Sequence, residues 1–274
     1  MLKRLRPFAT AALLLLTAGL SSDHGPTVDW AMVAKIREEG LQRSQVMNFE
    51  GYMVDVLGAR LTLSNDMKRA QTWLKAEMER IGLVNVAAEP FMDYGVTWDN
   101  EYVSIHMLEP DYQPMVGYPI AHTPGTDGKQ VAQAMIVDLQ SRQDLEKYRG
   151  KLQGMAVLST PPAMIDLVSL TNGVPRLTEA ALKTIEETVI TPARPSAPRA
   201  IRNPDLLSAV EKMAFYKAEG VLVVFQCESG WLGAVRGFSR PGSAADRWSR
   251  EGDLASPVVV AVTPEHYNRM YRIL

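Results

Sequence analysis

Cysteine is almost missing from this chain: Cys227 is the only one in 274 residues. A single cysteine can form no internal disulfide and no cysteine-based zinc site. It lies in the apolar run Val221-Leu-Val-Val-Phe-Gln-Cys227, with no histidine close in sequence. Thiolate activation needs a base or a cationic setting, so Cys227 reads as a core residue. Histidine is sparse as well. His24, His106, His122 and His266 are the complete set, and no two stand at the spacing of a metal-binding helix or in a His-x-Asp pair. His122 precedes Asp127 in a Gly- and Pro-rich loop, which suggests metal only weakly; an exposed loop histidine is the expectation. His106 falls in a predicted strand, where packing or a hydrogen bond to a neighbour is expected.

Motifs of covalent and phosphate chemistry are lacking too. Glu228-Ser-Gly-Trp231 has no preceding glycine and so makes no nucleophile elbow. There is no dinucleotide fingerprint and no phosphate-binding loop. The acidic pair Glu186-Glu187 reads as the solvated face of a helix. No repeat or heptad series is present. Residue patterns therefore assign no catalytic residue, no cofactor-binding residue and no metal ligand.

Charge of one sign is also missing. The formal net charge of −2 gives no electrostatic reason to bind nucleic acid, which calls for a basic face. Arg194, Arg199 and Arg202 are interleaved by Pro192, Pro195, Pro198 and Pro204, the pattern of a solvated loop.

Only one apolar stretch stands out by length, residues 9–20, with four leucines at 13–16 behind the basic Lys3-Arg4-Leu5-Arg6. It suits the apolar part of an export leader and is short for a membrane span. Gly19, Ser21 and Ser22 are small enough for cleavage nearby, and no cysteine follows to carry a lipid. Losing the three leader cations would take the net charge from −2 to −5. No later stretch offers the length of a span, so the expectation is a soluble mature protein, secreted or periplasmic.

What remains is ordinary for a globular chain. Hydrophobic residues make up 46% and charged residues 22%, enough to bury a sizeable core. Spacing predicts helix over 27–57 and from Ser64 or Asn65 to Gly82, with Ala70, Trp73, Leu74, Met78 and Ile81 as its stripe. Strands are predicted at 85–91, 102–108, 131–139 and 155–158. A helix capped by Ser141 runs to Tyr148, another covers 178–189, and a stronger one covers 204–219, ending at Gly220 before a strand at 221–225. Residues 237–252 read as a polar loop, 257–262 as a last strand and 264–274 as a helix. Strands alternating with helices give an α/β (mixed α+β) fold.

Two segments carry a resemblance. Val56-Leu-Gly-Ala-Arg-Leu-Thr-Leu-Ser64, then Arg69-Ala70, Trp73-Leu74, Gly82-Leu83 and Glu89-Pro90-Phe91, is similar to the entry segment of co-catalytic zinc exopeptidases. That is the M-twenty-eight family of aminopeptidases and glutamate carboxypeptidases. Gly58, Arg60 and Ser64 match its loop, and Ala59 stands where proline is common. Gly125-Thr126, Gly128, Tyr148-Arg-Gly-Lys-Leu-Gln-Gly154 and Lys217-Ala-Glu-Gly220 before Val221-Leu-Val-Val224 resemble a protease-associated domain, an insert without catalysis.

The resemblance implies a signal peptide at 1–22, the N-terminal part of a peptidase domain at 23–115 and a protease-associated domain at 116–274. It implies two zinc ions and a peptide substrate for a full-length parent. The ligands would follow the insert, so none is carried over onto this chain, which is expected to be inactive alone. A secreted, non-catalytic binding module is the alternative, and an enzyme whose site assembles only in three dimensions is the third.

Overall fold

The computed structural model describes residues 28–164, 177–188, 203–227, 234–235, 237–242 and 249–274. The predicted leader, His24, Arg194, Arg199, Arg202 and Glu228-Ser-Gly-Trp231 lie outside the described residues. The chain divides into two compact units, 1–58 and 59–274.

In the first unit, α1 (Trp30–Gln42) starts at Asp29, whose side chain accepts from the Met32 N–H at 3.0 Å. The helix expected over 27–57 is interrupted. Arg43 leaves helical geometry at φ −120°, and the Ser44 hydroxyl accepts from the Val46 N–H at 3.4 Å. Such local side-chain bonds compete with helix continuation. The chain restarts as α2 (Val46–Gly51) and widens into a π-helical turn (Tyr52–Val56), where the Leu57 N–H reaches the Tyr52 carbonyl at 3.1 Å. No residue of α1 or α2 is buried.

The second unit opens with a loop that feeds α3 (Asn65–Arg80). Ser64 caps it by accepting from the Met67 N–H at 3.1 Å. Gly82, at φ 98°, ends it as expected, with the Leu83 N–H bonded to the Met78 carbonyl at 3.0 Å. Of its stripe only Ala70 is buried. The strand predicted at 85–91 does not form. Asn85 takes a left-handed φ of 58° and no ladder partner flanks the segment among the described residues; Val84 and Phe91 stand exposed.

β1 (Ile105–Met107) and β2 (Gln113–Met115) make an antiparallel ribbon. β3 (Gly117–Pro119) then joins a five-stranded sheet with β4 (Ala134–Ile136), β5 (Ala156–Leu158), β6 (Val223–Gln226) and β7 (Val259–Val262), in the order β3-β7-β6-β5-β4. β2 and β3 escape sequence reading because Pro114 and Pro119 sit inside them. Edge strands tolerate proline since one side of the backbone needs no ladder bond, and β3 is such an edge.

β4 to β7 are mutually parallel and β3 is antiparallel to β7. Helices connect them: α4 (Arg142–Tyr148), then α5 (Glu179–Glu187) and α6 (Ala209–Ala218), then α7 (Arg250–Ala255); α8 (Pro264–Ile273) follows β7. Helix α7 begins at Arg250, inside the stretch read as polar loop to residue 252, and runs past it to Ala255. Successive side chains of each strand serve opposite faces. Val157, Val224, Val259 and Ala261 pack with Tyr148, Leu152, Met213 and Tyr216 of the α4 and α6 side. Leu158, Phe225, Val260 and Val262 pack with Met107, Tyr267 and Met270 on the other. Burial on both faces explains why these strands read as continuous apolar runs. Cys227 belongs to the second cluster, buried as expected.

Two capping boxes fix the helix starts. In α4 the Asp144 carboxylate accepts from the Ser141 N–H at 2.8 Å. In α6 the Glu211 carboxylate accepts from the Ser208 N–H at 2.8 Å while its own N–H donates to the Ser208 hydroxyl at 3.1 Å. This box sets the helix start at Ser208 rather than Pro204. The bonds from Ser208, joined by Arg142, hold the Glu211 carboxyl down at about 2; bonds from Ser141 and Gln140 lower Asp144 likewise. A depressed folded-state value stabilises above the ordinary 4.5 and is lost as pH falls toward about 2. Urea unfolding between pH 5 and 2 should therefore show declining stability, and Glu211→Gln should flatten that decline. An unchanged slope in the variant would remove Glu211 from the account.

Candidate functional site

Where β3 leaves the sheet, the backbone finds new partners. Ile120 still donates to the Val259 carbonyl at 2.9 Å, and Ala121 then donates to Phe238 at 3.0 Å while accepting from the Arg240 N–H at 2.9 Å. Because β3 is antiparallel to β7, this exit lies at the amino end of β7. Ahead of it opens a cleft of about 310 Å³. Arg60, Leu61 and Thr62 of the loop before α3 line it, with Tyr94, Tyr118, His122 and the segment Gly237–Ser239.

His122 departs from expectation: it is buried, 5% exposed, not an open loop residue. Its Nδ1 lies 3.1 Å from Oδ2 of Asp253 on α7, and the other oxygen of Asp253 accepts from Arg240 Nε at 3.0 Å. The side chains of Arg240 and His122 are 4% and 7% exposed. A carboxylate bonded to a guanidinium is ionised, so the His122 Nδ1 carries the hydrogen toward it. His122 also stands at φ 62°, a left-handed conformation uncommon outside glycine. The next residue, Thr123, is fixed by its hydroxyl to the Ile120 carbonyl at 2.8 Å, and its own carbonyl accepts from Trp98 Nε1 at 2.9 Å.

The other predicted residues are dispersed. His106 is the exposed residue of β1, with Ser104 Oγ at 2.6 Å from Nε2 and the Tyr112 hydroxyl at 3.0 Å from Nδ1. His266 Nδ1 accepts from the Val116 N–H at 2.9 Å, which ties α8 to β3. Glu187 pairs with Lys183 across one turn of α5, both exposed, a solvated face as read. Asp127 is exposed, and the acid that meets His122 is Asp253 instead. Sequence reasoning missed the network, since its members come from three distant segments and share no spacing.

Among the described residues no group of three or more His, Cys, Asp or Glu side chains could hold a metal ion. These residues do not fit a zinc centre, and no catalytic step is derived through one. No helix among them is long and apolar enough to cross a membrane.

No protein-family model matches the chain, and no curated protein does. Among solved structures, the fold is similar to a peptidase M28 precursor from Shewanella amazonensis, with 16% identity, a TM-score of 0.48 and 88% of this chain covered. It is similar to a zinc aminopeptidase from Bacillus subtilis at 10% identity, a TM-score of 0.43 and 81% coverage. The aminopeptidase from Aneurinibacillus sp. strain AM-1 gives 13%, 0.36 and 85%. This chain spans 46%, 39% and 41% of those proteins, less than half of each. At such identities and scores the likenesses assign no activity.

Proposed function

We propose that the chain is the N-terminal portion of an exported zinc-dependent exopeptidase of the aminopeptidase type. Residues 1–22 are its leader, 23–115 the first elements of the peptidase domain and 116–274 a protease-associated domain. The observation that carries this reading is an asymmetry of burial. From β1 onward the chain buries two apolar clusters around one sheet. The described residues before it leave Trp30, Ile36, Leu41, Met47, Leu74, Val84 and Phe91 exposed. Uncovered apolar surface of this extent marks what another part of a protein covers. On this reading the cover is the remainder of the peptidase domain, which also brings the two zinc ions and the base for their bound water. Peptide N-termini are the substrate, and this chain alone hydrolyses none.

Two local features support this reading. The Arg60–Ser64 loop ends in the buried cap of α3, and Lys217-Ala-Glu-Gly220 turns at Gly220, φ 69°, and after two further residues reaches β6 at Val223. The decisive measurement is the intact mass and zinc content of the native protein. A mass larger by about a domain, roughly 200 residues, with about two zincs per chain is expected. A native protein no larger than this chain, metal-free and monodisperse, overturns the proposal and favours a secreted non-catalytic module, which the self-contained core after β1 could support. Hydrolysis of aminoacyl nitroanilides by this chain with added zinc would overturn both.

A further inference from the structure

The two edges of the five-stranded sheet are built differently. At one edge β3 carries Pro119, and the chain then turns away so that Ala121 meets Phe238. At the other, β4 lies beside β5 alone. A parallel ladder uses alternate residues. The Gln133 carbonyl accepts from the Ala156 N–H at 2.8 Å, and the Val137 N–H donates to the Leu158 carbonyl at 3.0 Å. Met135, registered opposite Val157, supplies the groups between them. The N–H and C=O of Ala134 and Ile136 therefore point away from β5. Among the described residues no hydrogen-bonding group meets them.

Sheet edges are ordinarily blunted by charge, proline or a bulge. Val131-Ala-Gln-Ala-Met-Ile-Val137 has neither charge nor proline, and its ladder with β5 runs in unbroken register. Ala134 and Ile136 lean on the cluster of Tyr267, and Met135 leans on that of Tyr216, each only partly buried. The free run is also bounded. Asp138, the next outward residue, has its N–H held by the Tyr148 hydroxyl at 3.3 Å, and its carboxylate accepts from the Gln140 amide at 2.7 Å.

We infer that β4 seats a second copy of this chain, the two strands pairing antiparallel about a two-fold axis at Met135. In that register Ala134 of each copy stands opposite Ile136 of the other, and each such pair exchanges both of its N–H···O bonds. Every outward group is then satisfied. Met135 faces its counterpart in the closely spaced pair between them. On the opposite face small Ala134 lies beside branched Ile136. Further out, Asp138 falls opposite Ala132 and Lys129 opposite Ser141, so no like charges meet. The edge is thus self-complementary, as an isologous contact requires. A strand of 3 residues makes a small contact, and the expected dissociation constant is about 100 µM. The inference goes beyond the exopeptidase reading and does not rest on it, since neither zinc nor hydrolysis enters.

Sedimentation equilibrium of the full chain between about 10 µM and about 1 mM tests it, with a reversible monomer–dimer equilibrium expected. Ala134→Pro deletes an N–H that β5 does not use. It should melt as the unaltered chain does and associate roughly tenfold more weakly. Met135→Cys should close a reducible inter-chain disulfide on mild oxidation, because facing Cα atoms in such a pair lie about 4.5 Å apart. Ala132→Cys is its control, since the same register keeps the two copies of that position ~20 Å apart. Should Ala134→Pro fail to fold, the two cysteine variants decide alone. A chain monomeric to about 1 mM leaves the edge to a foreign strand and overturns the inference. A folded Ala134→Pro that associates like the unaltered chain also overturns it, and moves the contact to another surface. Equal cross-linking of the two cysteine variants overturns it as well.

Discussion

Asp253→Asn is expected to destabilise the second unit by about 3 kcal/mol, measured by urea unfolding at neutral pH. Asp253 is the shared acceptor of His122 at 3.1 Å and Arg240 at 3.0 Å, and both donors are buried. An asparagine keeps the shape but removes the charge, and its one acceptor oxygen cannot serve both. Breaking a buried pair costs about 3–5 kcal/mol. The low end applies here because Arg240 and His122 retain other contacts. The control is Arg240→Met together with Asp253→Leu, which removes both charges. That double variant should be more stable than Asp253→Asn alone, since no cation is left without its counterion. Equal losses in the two would show that the network acts through packing and not through charge.

Gly117→Val should cost at least as much, about 3 kcal/mol, near the upper end for forcing extra atoms into a packed position. A Cβ at Gly117 would meet the carbonyl oxygen of Ala261 at 2.7 Å and the Cδ1 of Ile105 at 2.7 Å. Ile105 could rotate; the carbonyl cannot, because it belongs to β7 and Gly117 is registered opposite Val262. Relief requires β3 to lift from the sheet. Gly125→Ala, with nothing within 4 Å of its Cβ, should by contrast be within about 0.5 kcal/mol of the parent. A Gly117→Val protein that unfolds at the parent's urea midpoint would mean that β3 is not held against β7 as described.

The sequence was legible where one physical signal sufficed. Ser141 as a cap, Gly82 as a stop and the apolar runs of β5, β6 and β7 each declare themselves within a few residues, because hydrogen bonding at helix ends and burial on both sheet faces are local demands. β2 and β3 did not, since their proline content reads as loop until the edge position is known. The 85–91 segment failed in the opposite way: its composition suits a strand, but a strand needs a neighbour, and none of the described residues pairs with it. The site was hidden almost entirely. His122 looked like a loop residue because glycines and a proline surround it, and only the fold brings Asp253, 131 positions away, against its ring. Arg240 lay in a stretch whose polarity suggested solvent, yet its side chain is buried. Long-range charge pairing leaves no periodicity to read.

The sheet order has a temporal meaning. β3 is its first strand along the chain, and its ladder partner is β7, the last. Every residue between them must exist before that edge can close. A ribosome making this protein therefore delivers an incomplete sheet until Val262 has emerged, and closure of so long a loop is slow. Until then Gly117 to Pro119 remain a ribbon without the ladder that β7 supplies.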